Sequence, residues 1–289
     1  VQEMLFKWPD GSVNISGELL KPDSFQKIVI IAGPEGPNPR YIQGQLIDSL
    51  LDNSIAVLTY DERGTGNSTG DFSSAGYFDL AADITLIARN LRRSFGLGVA
   101  IGVVGIGDGG WKAMIAANYD KRIEFLGLVG TPGMNGSLWK EEQVKNDHKV
   151  CRLKKKKPDE TLENYREIHR ILSARKKPET QLRELENYLD NIKVSKKKYR
   201  KIISPLLRSR LTFIPSQYTG KNMPITLSLI RGVDKKDQVE WQSLSESRPQ
   251  IEVQTASTIF LSEENDKLSE LALNNILAWL SSLSIRDLD

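Results

Sequence analysis

The chain has 289 residues, 39% of them apolar and 7% aromatic, enough for one large α/β domain with an insertion or for two domains. Its single cysteine, Cys151, excludes an internal disulfide and a cysteine-based zinc site, and no apolar run is long enough to span a bilayer, so it reads as a soluble chain. The formal charge of +3 hides an asymmetry: residues 134–222 carry 23 Lys and Arg against 11 Asp and Glu, a balance of +12, and the remainder stands at −9. Such a field attracts anionic partners such as nucleic acid, anionic lipid, acidic glycans or an acidic protein, although a solvated helical face gives the same composition.

In chain order, Met4–Trp8 and Val13–Leu20 flank the turn signal Pro9-Asp10-Gly11 and predict a hairpin. Lys27–Ala32 is a continuous β-branched run, as in a strand covered on both faces. A loop follows, Gly33-Pro34-Glu35-Gly36-Pro37, and then helical spacing at Ile42, Leu46, Leu50 and Leu51. Ile55–Tyr60 is the next buried strand, and Asp61–Gly70 a polar, turn-rich loop. Leu80, Ile84, Ile87 and Leu91 mark one stripe of a helix over 78–94. Ile101–Ile106 and Phe125–Gly130 read as further buried strands, on either side of a helix-like stretch from Trp111 to Ala117.

The α/β rhythm breaks at Thr131-Pro132-Gly133. From 134 to 222 the pattern is helical and Lys-rich, with tracts at Lys154–Lys157 and Lys196–Lys198 and amphipathic stretches at Leu162–Leu172 and Leu182–Ile192. Ile225–Ile230 and Ile251–Gln254 resume the strands, and Leu268–Leu283 predicts a closing amphipathic helix. Buried strands alternating with helices imply a mostly parallel central sheet flanked by helices, with right-handed crossovers. The expected division is a core of residues 1–133 and 223–289 carrying a helical cap of residues 134–222, above the strand edge where open α/β sheets form their sites.

The most informative segment is Gly105-Ile106-Gly107-Asp108-Gly109-Gly110. A buried strand enters it and a helix leaves it, the layout of a nucleophile elbow, G-x-S-x-G, in which a strained turn lifts a serine above the sheet. Here the serine slot holds Gly107, which has no side chain to attack anything.

With these features the chain resembles the α/β-hydrolase superfamily, most closely a bacterial branch of esterases and serine-aminopeptidase-like hydrolases. Four segments carry the resemblance. Gly33–Arg40 is similar to the branch's early G-S-G-P-x-x-R loop. Tyr60–Gly70 matches Y-D-x-R-G-x-G-x-S-x-G in full. Gly105–Gly110 stands where the branch has G-H-S-E-G-G, and Ser257-Thr258-Ile259-Phe260 where it has N-H-L-F. The resemblance implies an α/β-hydrolase fold with a helical cap insertion, and a site built on a Ser nucleophile, a His base and an orienting Asp.

The departures fall on that chemistry. Gly107 stands in the Ser position and Thr258 in the His position. The Asp position falls near Asp234 or Asp237. The only two histidines, His148 and His169, lie in the cap segment. The oxyanion hole needs the N–H of Asp108 and one from the early loop, where Pro34 has none; Glu35 or Gly36 would have to substitute. Removing the nucleophile or the base of such a triad costs on the order of 10⁶ in rate, so the expected protein is non-catalytic, a binder or scaffold with its pocket formed by Gly33, Pro34, Glu35, Gly36, Arg40 and Asp108. The competing reading is a hydrolase with a displaced nucleophile. Asp108 is its weak candidate, as in dehalogenase-like relatives, one residue out of frame with Ile106 where a small residue belongs; His169 would be the base. Arg63 and Arg40 read as loop braces, Ser68 as a turn residue and Trp111 as core.

No phosphate-binding glycine loop and no metal-ligand cluster is present in the sequence, so neither cofactor nor metal is expected. Aromatic residues do not interleave with the lysine tracts, which ranks a small molecule or a protein above nucleic acid as the partner, with the basic cap a contact for an anionic one. The chain opens on Val1 rather than Met; an export signal already removed fits this, and the compartment is left open.

Overall fold

The computed structural model describes residues 1–34, 36–40, 44–146, 158–194, 204–231, 235–256 and 268–284. Two compact units emerge. One comprises Val1–Phe72, Phe78–Gly133 and Pro215–Asp289, the other Ser73–Tyr77 and Met134–Ile214.

The first unit is built on eight strands: β1 (Gln2–Lys7), β2 (Asn14–Leu20), β3 (Lys27–Ala32), β4 (Ala56–Tyr60), β5 (Ala100–Ile106), β6 (Phe125–Val129), β7 (Ile225–Arg231) and β8 (Ile251–Ala256). They form one sheet in the order β1-β2-β4-β3-β5-β6-β7-β8. β1, β2 and β4 pair antiparallel and every other pairing is parallel. The mostly parallel sheet meets the sequence expectation. β3, β4, β5 and β6 are buried almost throughout, as continuous apolar runs require when helices cover both faces. The hairpin closes as predicted: Gly11 takes φ +72°, and its N–H donates to the Trp8 carbonyl at 3.0 Å.

Helices α1 (Gly44–Asp52), α2 (Tyr77–Phe95) and α3 (Gly109–Tyr119) follow β3, β4 and β5 in turn. The stripe Leu80, Ile84, Ile87 and Leu91 of α2 is buried. α3 differs in kind, being buried from Gly109 to Ala117, so it has no polar face to break the symmetry of its pattern. Helices later in the chain are α4 (Gly136–Asn146), α5 (Pro158–Ser173), α6 (Pro178–Asn191), α7 (Pro205–Thr212), α8 (Lys235–Glu246) and α9 (Glu270–Ser282). α8, with only Asp237 and Trp241 buried, has too weak an apolar stripe to be read from the sequence. α9 packs Ile276, Trp279 and Leu280 into the core that holds Val29, Val57, Val104 and Leu227.

The helical unit buries its own cluster, Ile168, Ile171, Leu185, Leu189, Val194 and Leu211. Its charges pair on the surface, Arg166 with Glu141 at 2.8 Å and Lys176 with Glu184 at 2.6 Å. Ser204 caps α7 by accepting from the Leu207 N–H at 3.2 Å. The tracts Lys154–Lys157 and Lys196–Lys198, with His148 and Cys151, lie outside the described residues. No helix among the described residues is long and apolar enough to cross a membrane.

Candidate functional site

The turn between β5 and α3 has the geometry of an elbow. Gly107 sits at its apex with φ +56°, a left-handed conformation that L-residues adopt only at a cost. Its N–H donates to the Val129 carbonyl at 2.9 Å, and its carbonyl accepts from the Gly110 N–H at 3.2 Å. The other three glycines of the segment are there for contact. A Cβ on Gly105 would lie 2.5 Å from the Gly110 Cα. One on Gly109 would collide with the Gly33 and Ala32 carbonyl oxygens, and one on Gly110 with the Thr131 side chain. Gly107 alone of the four has room: the nearest atom to an added Cβ is the Pro34 Cβ at 3.6 Å, an ordinary van der Waals distance. The turn therefore has an elbow's backbone geometry, and its apex residue could take a Cβ at ordinary contact distance but carries no side chain.

Asp108, the displaced-nucleophile candidate, is buried at the N-cap of α3 with φ −73° and ψ −6°. This is right-handed helical backbone, so the projecting, left-handed position belongs to Gly107 and not to Asp108. Gly33 and Pro34 approach the elbow from the β3 loop; Glu35 lies outside the described residues. So do Thr258 and Asp234. Asp237, on the first turn of α8, is buried, and its carboxylate accepts from the Gly133 N–H at 2.6 Å. Trp111 and Trp241 donate from their indole nitrogens to the Pro132 and Thr131 carbonyls, both at 2.8 Å. Asp237 thus joins two tryptophans in holding the Thr131–Gly133 loop. His169 lies on α5 in the helical unit, where burial pushes its imidazole below the usual range against the opposing charge of Glu141.

The loop after β4 is an ordered network of braces. Arg40 donates from Nε and Nη2 to Asp61 at 3.2 and 3.0 Å, and further to Glu3 and Ser16. The Asp61 carboxylate also accepts from the Arg40 and Asn67 main-chain N–H groups at 2.8 and 3.0 Å. Burial raises the Asp61 pKa, but these hydrogen bonds together outweigh it and hold the group below its ordinary value. Arg63 grips both oxygens of Asp83 at 2.7 Å; here burial wins, and the Asp83 pKa is raised despite the guanidinium. Ser68 donates to the Asp61 carbonyl at 2.6 Å and accepts from the Ser16 N–H at 2.8 Å.

Sequence reasoning missed one pair. Lys112, in the first turn of α3, is 2% exposed and meets Glu62 at 2.6 Å, itself 2% exposed. The second Glu62 oxygen accepts from the Asn38 main-chain N–H and from Asn38 Nδ2, at 2.9 and 3.0 Å. Asn38 Nδ2 also donates to the Pro34 and Gly36 carbonyls at 2.8 and 2.9 Å. A chain of hydrogen bonds therefore runs from the elbow helix through Glu62 to the loop beside Gly107. The signal was present in Trp111–Ala117, where Lys112 is the only charge among apolar residues; a lone charge on a fully buried helix requires a buried partner. Among the described residues no group of three or more His, Cys, Asp or Glu is placed to hold a metal ion.

No protein-family model matches the chain, and a comparison with curated proteins finds no match. Solved structures do match. The chain is similar to an esterase from Exiguobacterium antarcticum, at 18% identity and TM-score 0.58 over 97% of this chain and 100% of that one. It is similar to an esterase from Pyrococcus furiosus, at 13% identity and TM-score 0.60 over 96% and 88%. A proline iminopeptidase-related protein from Thermus thermophilus matches at 17% identity and TM-score 0.58 over the full length of both chains. With its eight-stranded, mostly parallel sheet, flanking helices and strand-to-helix elbow, the chain has the α/β-hydrolase fold.

Proposed function

We propose that the protein is a non-catalytic α/β-hydrolase-fold protein that binds or scaffolds and does not hydrolyse. The observation that carries this reading is Gly107: a left-handed elbow apex where a Cβ would meet only Pro34 at an ordinary contact distance, and which has no side chain. Thr258 in the His position and the engagement of Asp237 by the Gly133 N–H support it further. The binding pocket of this reading lies among Gly33, Pro34, Gly36 and the elbow, with a small molecule or a protein as its ligand. Arg40 contributes by bracing Asp61. The basic segment 134–222, as a helical cap, is a second contact surface, suited to an anionic partner. The test is direct. p-Nitrophenyl acetate should give no turnover above a heat-denatured control, and a fluorophosphonate probe should leave the protein unlabelled. Clear turnover or labelling would end this reading.

A second reading, an ester or acyl hydrolase with a non-standard nucleophile, has support in the esterases among the similar structures. Asp108 is its candidate. Turnover that disappears in Asp108→Asn while the thermal transition stays within a few degrees would favour it.

A further inference from the structure

The sheet has a second candidate site, at the edge opposite the elbow. A cavity of about 700 Å³ opens where β6, β7 and β8 begin, within the size range of small-molecule sites. Lys121 enters it from the α3–β6 loop, Lys221 from the turn before β7 and Arg248 from the loop before β8. Neither lysine has an ion-pair or hydrogen-bond partner among the described residues. Arg248 is anchored, donating from Nε to the Thr219 carbonyl and from Nη1 to the Ser247 carbonyl at 2.6 Å. The one carboxylate of the lining, Glu124, uses Oε2 for both its contacts, Arg92 at 2.5 Å and the Ile101 N–H at 2.8 Å. Its charge is balanced by Arg92, which leaves the three cations of the lining in excess.

Cations at this edge have an ordinary explanation. Lys121 and Arg248 follow the C-terminal ends of α3 and α8, where the helix dipole favours positive charge. That account does not reach Lys221, which follows no α-helix and yet lines the same cavity. The floor is apolar, with Ile123 and Met223 buried and Pro224 and Ile225 partly so. Asn222 and Gln250 add amide groups at its rim. Three cations above an apolar floor match a compact dianion joined to a hydrocarbon group better than a monoanion or a neutral ligand.

We propose that the cavity bounded by Lys121, Lys221 and Arg248 binds a small phosphomonoester with an apolar substituent. The site is separate from the elbow and independent of whether the elbow is catalytic.

Hexyl phosphate is the probe, titrated calorimetrically into the full chain at low salt. One-to-one saturable binding is expected, with hexanoate weaker and hexyl glucoside not binding. The Lys121→Ala/Lys221→Ala double variant should weaken hexyl phosphate by about tenfold or more, from two lost ion pairs, and Lys7→Ala, at an exposed lysine on β1, should leave it unchanged. Both lysines are exposed, so the double variant should keep its thermal transition. Four results would overturn the proposal. They are no saturable binding, affinity unchanged in the double variant, hexanoate or hexyl glucoside binding as well as hexyl phosphate, or hexaglutamate binding more tightly at the same lysines, which would assign the surface to an acidic protein segment.

Discussion

The loops that follow β4 and β5 leave neighbouring parts of one sheet edge, and they use their motif residues differently. In Tyr60–Gly70 the charged side chains are occupied structurally: Asp61 by Arg40, Glu62 by Lys112 and Asn38, Arg63 by Asp83. In Gly105–Gly110 three glycines are held by contact and the fourth, at the apex, is open. In the first loop the charged side chains serve as structural braces. In the second the glycines are required by close contact, and only the apex has room for a side chain, which it does not carry. The pair Lys112–Glu62 joins the two loops.

Breaking that link should produce the largest effect. Lys112→Ala leaves the Glu62 carboxylate buried and unpaired, at a cost of about 3–5 kcal/mol, read as a lowered urea midpoint. Lys112→Met with Glu62→Leu removes both charges and should recover much of the loss; a double variant as unstable as the single would show that the pair is not what joins the loops. Next comes the contact requirement of the elbow. Gly109→Ala must push aside the Gly33 carbonyl, and a cost of about 1–3 kcal/mol or more is expected. Gly107→Ser should cost less, about 1–2 kcal/mol from the left-handed backbone alone, since its Cβ meets only ordinary contacts. If the two cost the same, the distinction between framework and apex fails. Combining Gly107→Ser with Thr258→His then asks whether esterase turnover appears; a gain over Gly107→Ser alone, measured with p-nitrophenyl acetate, would support the proposed reading of these two positions, and no gain would count against it.

The smallest effect is on pH dependence. Asp61 is held below its ordinary pKa of 3.8 in the folded state, so its contribution is present above that value and is lost as the pH falls through it toward the folded pKa. Asp83 has the opposite sign: its raised pKa costs stability as the pH rises above 3.8. Asp61→Asn should therefore flatten the acid limb of the stability curve, measured by urea unfolding between about pH 5 and pH 3, and Asp83→Asn should not.

Most of the strand framework was legible in the sequence, because strands buried on both faces must be written as unbroken apolar runs, and Lys27–Ala32, Ile101–Ile106 and Phe125–Val129 are such runs. Helices α2 and α9 were legible from their stripes, and α8 was not, since it buries so little. At the site, the lack of a side chain at Gly107 needed only the residue name. That the apex is open while Gly105, Gly109 and Gly110 are not depended on atoms contributed by Gly33, Thr131 and the turn itself, distances no linear pattern contains. The partner of Lys112 was likewise hidden, because Glu62 stands fifty positions earlier and meets it only once β4 and β5 have entered the same sheet. Periodicity and residue type are local properties and are read directly from the chain; which charge neutralises which, and which cations share one cavity, are decided by the spatial order of the strands in the sheet.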